Sequence, residues 1–119
     1  MSDEQTELSC DISKYEEQLK DKKRIAVTFV GKEFPGSESY LEALGQAYEG
    51  GFFGEMEMAV IPVDNKECDA LADHEGVEVL PRTNIYAHGK KVGSVSPNDG
   101  DAKVGYKKTI EKLIDLSED

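Results

Sequence analysis

The sequence predicts an α/β fold built on a partly parallel sheet. Three observations carry this expectation: the nearly continuous apolar run Ile25-Ala26-Val27-Thr28-Phe29-Val30, the alternation of such runs with stretches of helical periodicity, and two short terminal runs joined by His88-Gly89-Lys90. A β-branched run with few polar interruptions reads as a strand buried on both faces, and that favours a central place in a sheet with parallel neighbours.

The elements follow in order. Residues 1 to 10 are polar, with a brief strand signal over Thr6 to Ser9. Asp11 can accept hydrogen bonds from the free amides of a following turn, and Ile12, Tyr15 and Leu19 then repeat at i, i+3 and i+7, giving a helix over about 12 to 20. The charged break Asp21-Lys22-Lys23-Arg24 precedes the apolar strand, and Gly31 to Gly36 forms a turn after it. Ser39 and Glu42 make an S-x-x-E capping box, and Tyr40, Leu41, Leu44 and Tyr48 line one face of a second helix over about 37 to 49, stopped by Gly50-Gly51. A strand is expected over Met56 to Val63, then a helix over about 66 to 75 capped at Asp64-Asn65, with Ala70, Leu71 and His74 facing inward. Thr83 to Ala87 and Lys91 to Val95 form a hairpin, and Pro97-Asn98-Asp99-Gly100 turns into a last helix carrying Tyr106, Ile110, Leu113 and Ile114. The expected order is β-α-β-α-β-α-β-β-α.

One domain spanning 1–119 is expected from 119 residues, with an ordered core over about 6 to 116. A chain of this size buries roughly two-thirds of its unfolded surface, enough for a core without staples. The 14 Lys+Arg against 25 Asp+Glu give a net charge of −11, and this opposes nucleic-acid phosphates and anionic lipid alike. No run approaches the ~18 apolar residues of a membrane span, and Met1-Ser2-Asp3-Glu4 lacks the features of a secretion signal, so a cytoplasmic location is expected. A monomer is expected, although nothing in the sequence fixes the oligomeric state. Neither nucleic acid nor membrane is an expected partner.

The order of elements and the segment Val77-Glu78-Val79-Leu80-Pro81-Arg82-Thr83-Asn84-Ile85-Tyr86-Ala87-His88-Gly89-Lys90 resemble the thioredoxin family, whose segment reads roughly G-V-x-x-x-P-T, a hydrophobic run, then x-x-G-K. The resemblance covers about 6 to 116. It implies a thioredoxin-like three-layer α/β/α sandwich with a mixed central sheet, and a cis-proline at Pro81 before the fourth strand. Arg82 departs mildly, because the family places Thr directly after the proline.

The larger departure is at the family's active site. Aligned on Phe29, Phe34-Pro35-Gly36-Ser37 stands where the family has C-G-P-C, and Thr28 falls near its buried aspartate. Thiol–disulfide exchange needs one thiolate to attack and a second thiol to resolve the mixed disulfide. Phe34 and Ser37 supply neither. Each residue also has an ordinary reading: Pro81 as a trans loop proline, Phe34 as a core or loop aromatic, Ser37 as a helix cap, His74 as an amphipathic-helix residue and His88 as a hairpin residue. A P-loop in Gly31 to Gly36 fails for want of its lysine and through the repulsion of Glu33 and Glu38, and Asp99-Gly100-Asp101 offers too few oxygens for calcium. No metal site and no cofactor is expected.

The resemblance implies first a non-catalytic module that binds a protein or an extended peptide. Its surface would comprise Phe34, Pro35, Gly36, Ser37, Leu80, Pro81, Ser96 and Pro97, in the manner of β-strand addition. A second reading is a thiol–disulfide oxidoreductase or redox-responsive protein acting through Cys10 and Cys68, the only two cysteines. The family topology would bring them toward each other. Cys68 would lie near a helix N-terminus, where free amides favour a thiolate, with Glu67 and Asp69 opposing. The ordinary reading of the pair is two unlinked thiols in a reducing cytosol. A structural subunit of a larger complex is a third possibility.

Overall fold

In the computed structural model, residues 8–31, 37–77, 80–97 and 105–117 are described, the side chains of 37 and 105–107 excepted. Their order is α1 (Ile12–Lys20), β1 (Ile25–Val30), α2 (Ser37–Glu49), β2 (Glu57–Pro62), α3 (Lys66–His74), β3 (Arg82–Ala87), β4 (Lys90–Val95) and α4 (Gly105–Leu116). Of the strand expected over Thr6 to Ser9, residues 6 and 7 lie outside the described residues, and Leu8 and Ser9 have no strand pairing.

Local chemistry sets the helix starts. The Asp11 carboxylate accepts from the Lys14 amide at 3.1 Å, and the Asn65 side chain accepts from the Cys68 amide at 2.8 Å. Helix α2 begins at Ser37, so Ser39 sits inside its first turn and the expected Ser39–Glu42 capping box is not at the helix boundary. On α3 the buried stripe is Cys68, Leu71 and Ala72, spaced i, i+3 and i+4, whereas Ala70 and His74 are exposed, contrary to expectation. Both fall off the stripe that Cys68 and Leu71 define.

Among the described residues the sheet has four strands, in the order β2-β1-β3-β4. β1 pairs parallel with β2 (Ile25↔Glu57 to Val30↔Pro62) and antiparallel with β3 (Ile25↔Tyr86 to Phe29↔Arg82). All six residues of β1 are buried because helices cover both faces. Ile25, Val27 and Phe29 join Tyr15 and Leu19 of α1 and Leu71 and Ala72 of α3. Ala26 joins the opposite cluster with Tyr40 and Leu44 of α2 and Leu113 of α4. This is the α/β/α layering. Pairing of β3 with β4 slips between Ile85↔Gly93 and Tyr86↔Lys91, leaving Val92 as an extra residue. A Cβ on Gly93 would stand 2.6 Å from Leu116 Cδ1, so a side chain there would require the Leu116 side chain to shift. The Arg24 guanidinium donates to the Leu116 carbonyl at 2.8 Å, a cation placed at the α4 C-terminus.

A polar network runs under the α1/α3 layer. Tyr15 Oη donates to Tyr86 Oη at 3.2 Å, Tyr86 Oη donates to Glu75 Oε1 at 2.6 Å, and Asn84 Nδ2 donates to Tyr86 Oη at 3.1 Å. Ser94 Oγ donates to Asn84 Oδ1 at 2.7 Å, and Arg82 Nη1 donates to Ser94 Oγ at 2.7 Å. Burial, reinforced by Tyr86, pushes the Tyr15 phenol well above its ordinary range; burial and the bond to the Glu75 carboxylate do the same to Tyr86.

Tyr86→Phe should cost about 2–3 kcal/mol in urea unfolding, because three partners lose a hydroxyl at once, whereas Tyr15→Phe should cost about 1 kcal/mol. An unfolded phenol ionises near pH 10, and the folded pair stays neutral beyond it. Their contribution is therefore whole below about pH 10 and declines as pH rises above it. In an ultraviolet titration, the Tyr15 and Tyr86 phenolates should emerge only together with loss of the folded circular dichroism signal.

Candidate functional site

The strand directions bring the candidate residues to one end of the sheet. β1 and β2 run parallel and finish at Val30 and Pro62, β3 starts opposite Phe29, and β4 ends opposite Thr83. Gly31 after β1, the N-terminus of α3, Leu80-Pro81 and Ser96-Pro97 therefore share that end. A bond from the Val63 amide to the Val30 carbonyl at 2.8 Å extends the parallel ladder into it.

Cys10 and Cys68 are joined in a disulfide with Cα atoms 4.9 Å apart, across 58 residues of sequence. The ordinary reading of two unlinked thiols is thereby corrected. The physical reason is that α1 runs back along β1, so its N-terminus, and Cys10 just before it, meets the first turn of α3. Cys68 is 8% exposed and shares a buried cluster with Leu80, Val77 and Phe29, while Cys10 is half-buried against it. Two hydrogen bonds also hold the segment before α1: the Ser9 amide donates to Gln18 Oε1 at 2.8 Å, and the Asp11 amide donates to Ser9 Oγ at 3.0 Å.

The Leu80–Pro81 peptide is cis. Ser96 Oγ donates to the Pro81 carbonyl at 2.6 Å, and this ties the loop before β3 to the residue after β4. Leu80, Pro81, Ser96 and Pro97 are all buried, so their side chains brace this end of the sheet. Phe34, Pro35 and Gly36 lie outside the described residues, as do Asp99, Gly100 and Asp101; Ser37 is the first residue of α2. At the position where the resemblance places an aspartate, Thr28 is fully buried, with its hydroxyl 2.8 Å from that of Thr83, which is 2.7 Å from Tyr40 Oη. A chain of three hydroxyls satisfies this pocket without a group that gains or loses a proton near neutrality.

The two histidines occupy separate surroundings. His88 caps the hairpin in a left-handed conformation, φ 53°. His74 lies beside two carboxylates, its Nδ1 3.0 Å from Glu75 Oε2 and its Nε2 3.9 Å from Glu16 Oε2. One ligand-type atom from each of Glu16, His74 and Glu75 falls within 4.8 Å of the others, on the half-exposed seam between α1 and α3. The adjacency of His74 and Glu75 is visible in sequence; the approach of Glu16 depends on helix packing.

Ser96→Ala should cost about 1–3 kcal/mol and speed hydrogen exchange in the loop before β3, because a buried carbonyl loses a donor. Thr28→Val should cost less, about 1 kcal/mol or below, since Thr83 and Tyr40 still bond to each other. Chemical denaturation of the two variants side by side checks the ranking.

No family model and no curated protein sequence matches the chain. Solved structures do. The chain is similar to the oxidised thioredoxin of Plasmodium falciparum, with TM-score 0.68 and 13% identity over 93% of this chain and 96% of that one. It is similar to the thioredoxin of Malassezia sympodialis, with TM-score 0.72 and 12% identity over 92% of this chain and 88% of that one. Chlamydomonas reinhardtii thioredoxin f2 matches with TM-score 0.67 and 18% identity over 89% and 88% of the two chains. Identities this low carry the backbone arrangement and not the activity. The sheet order, the two helical layers and these likenesses together establish that the chain has the thioredoxin-like fold.

Proposed function

We propose that this is a redox-responsive thioredoxin-fold protein, in which Cys10 and Cys68, in place of a C-x-x-C pair, interconvert between disulfide and dithiol. The observation that supports the reading is the link itself, which ties the segment before α1 to the first turn of α3 at the sheet end carrying Leu80 and Pro81. In a reducing compartment such a bond is typically transient, and it then serves sensing or exchange. A cytoplasmic, monomeric protein is part of the proposal; no helix among the described residues is long and apolar enough to cross a membrane.

Reduction would proceed by attack of an external dithiol's thiolate on the sulfur of Cys10, the less buried partner. Cys68 would leave as a thiolate that takes up a proton, and the reductant's second thiol would displace Cys10 and close the reductant's own disulfide. Two electrons enter the protein and two thiols result. After reduction, the contacts of Ser9 with Gln18 and of Asp11 with Ser9 remain as local ties.

A second reading is a non-catalytic protein- or peptide-binding module using Phe34, Pro35, Gly36, Ser37, Leu80, Pro81, Ser96 and Pro97. The shared cluster of Cys68 and Leu80 would couple the disulfide to this end of the sheet, where the side chains of Leu80, Pro81, Ser96 and Pro97 are buried and an extended peptide would be met by backbone groups. The two readings are compatible, because a switch at Cys10–Cys68 would act on the neighbouring loop.

Reduction should lower stability by about 2–4 kcal/mol, since the link closes a long loop in the unfolded chain. The melting temperature should fall by roughly 10 °C. Cys10→Ser and Cys68→Ser should melt at the lower temperature with or without reductant. Alkylation trapping in cells should find two free thiols under reducing growth and none after oxidant exposure. A link that stays closed under both conditions would make it a structural staple and overturn the proposal. Insulin reduction that disappears in Cys68→Ser would assign turnover as an oxidoreductase instead of a sensing role.

A further inference from the structure

Among the described residues, Phe52 is the most exposed large apolar side chain, at 62%. It stands in the turn after α2, yet it is held in place. Its amide donates to the Ala47 carbonyl at 3.1 Å, and its ring lies against the backbone of Gly50, where an added Cβ would come within 2.9 Å of Phe52 Cε2. Beside it, a groove of about 380 Å³ opens between α2 and α4. Ala43 and Ala47 form one wall and Ile110 and Ile114 the other, with Phe52 and Glu111 at its margins. Small residues on α2 let another backbone come close, and a fixed exposed aromatic is the kind of group that anchors an interface.

Acidic side chains predominate around the groove. Glu42 and Glu49 flank Gln46 on α2 at i−4 and i+3, and Asp115 follows Glu111 by one turn on α4; all four are exposed. Lys108 and Lys112 stand one turn before Glu111 and Asp115 on α4, so two cations accompany the four acids. We propose that this groove docks an amphipathic helix of a partner protein, with an apolar stripe flanked by Lys and Arg. The rim selects this occupant over two others. A second copy seated groove to groove would set Glu42, Glu49, Glu111 and Asp115 against themselves on two chains of net charge −11. An anionic lipid surface meets the same repulsion. A helix is the favoured shape because a groove walled by two helices, with alanines on one side, suits the i, i+3, i+4, i+7 anchors of helix-in-groove binding. The proposal is independent of the redox state of Cys10 and Cys68.

The probe is a synthetic peptide of about four helical turns, with leucines at i, i+3, i+4 and i+7 and lysines elsewhere. Its counterpart has glutamate for every lysine. In a nitrogen-15 NMR titration of the full chain, the lysine peptide should shift the amides of Ala47, Phe52, Ile110 and Ile114. Phe52→Ala, checked for an unchanged circular dichroism spectrum and melting temperature, should weaken binding by about tenfold or more. Glu111→Arg should weaken it several-fold at low salt, and the difference should shrink as ionic strength rises to about 0.5 M. Equal binding of the glutamate peptide, indifference to Phe52→Ala, or shifts confined to another face would each overturn the proposal. So would a concentration-dependent dimer of the unliganded chain that Phe52→Ala abolishes, because it would assign the groove to a second copy.

Discussion

Burial of β1 on both faces is the constraint from which the architecture follows. A strand with no solvent-facing side cannot be covered by one layer, so α1 and α3 must cover one face and α2 and α4 the other. That sandwich requires a parallel neighbour reached by a helical crossover, β1 to α2 to β2, and it leaves the strand ends as the place where irregular backbone collects. The disulfide, the Leu80–Pro81 loop and Ser96 all sit at the same end for this topological reason.

The two faces of the sheet satisfy their buried polar groups differently. Beneath α2, Thr28, Thr83 and Tyr40 form a neutral chain of hydroxyls, which asks little of the dielectric because nothing in it is charged. Beneath α1 and α3, the chain from Tyr15 through Tyr86 ends on the Glu75 carboxylate, so one end of it is anionic and partly solvated. Substitution on the first side disturbs packing with limited electrostatic consequence. On the second side, each hydroxyl orients the next toward a charge, and the members act as a unit.

Much of this was legible in the sequence. The run from Ile25 to Val30 located the central strand because burial on both faces leaves a composition that no amphipathic element has. Helix α2 is legible in its bounds, 37 to 49, from Tyr40 and Leu44, whereas Ser39 and Glu42 have the spacing of a capping box yet stand inside the helix. Ala70 and His74 were misassigned because nine residues span too few turns for periodicity to fix a face, and Cys68 was not counted among the apolar anchors. The disulfide was not legible as a bond: sequence gives two cysteines 58 positions apart, and their meeting depends on α1 and α3 being packed side by side. Glu16 beside His74 was hidden for the same reason. The groove's apolar members could be read off singly, but that Phe52 stands outside the core is a tertiary fact.

The displaced step at Val92 bears on how the molecule behaves when crowded. Among the described residues β4 is the outermost strand next to β3, and an outermost strand offers unpaired amides and carbonyls to any extended chain that drifts past. A neighbour trying to zip along it would lose register halfway, where one residue is surplus, and would meet the ammonium groups of Lys90 and Lys91 at the entrance. Fibre growth through this margin is thereby obstructed by geometry and charge built into the hairpin itself.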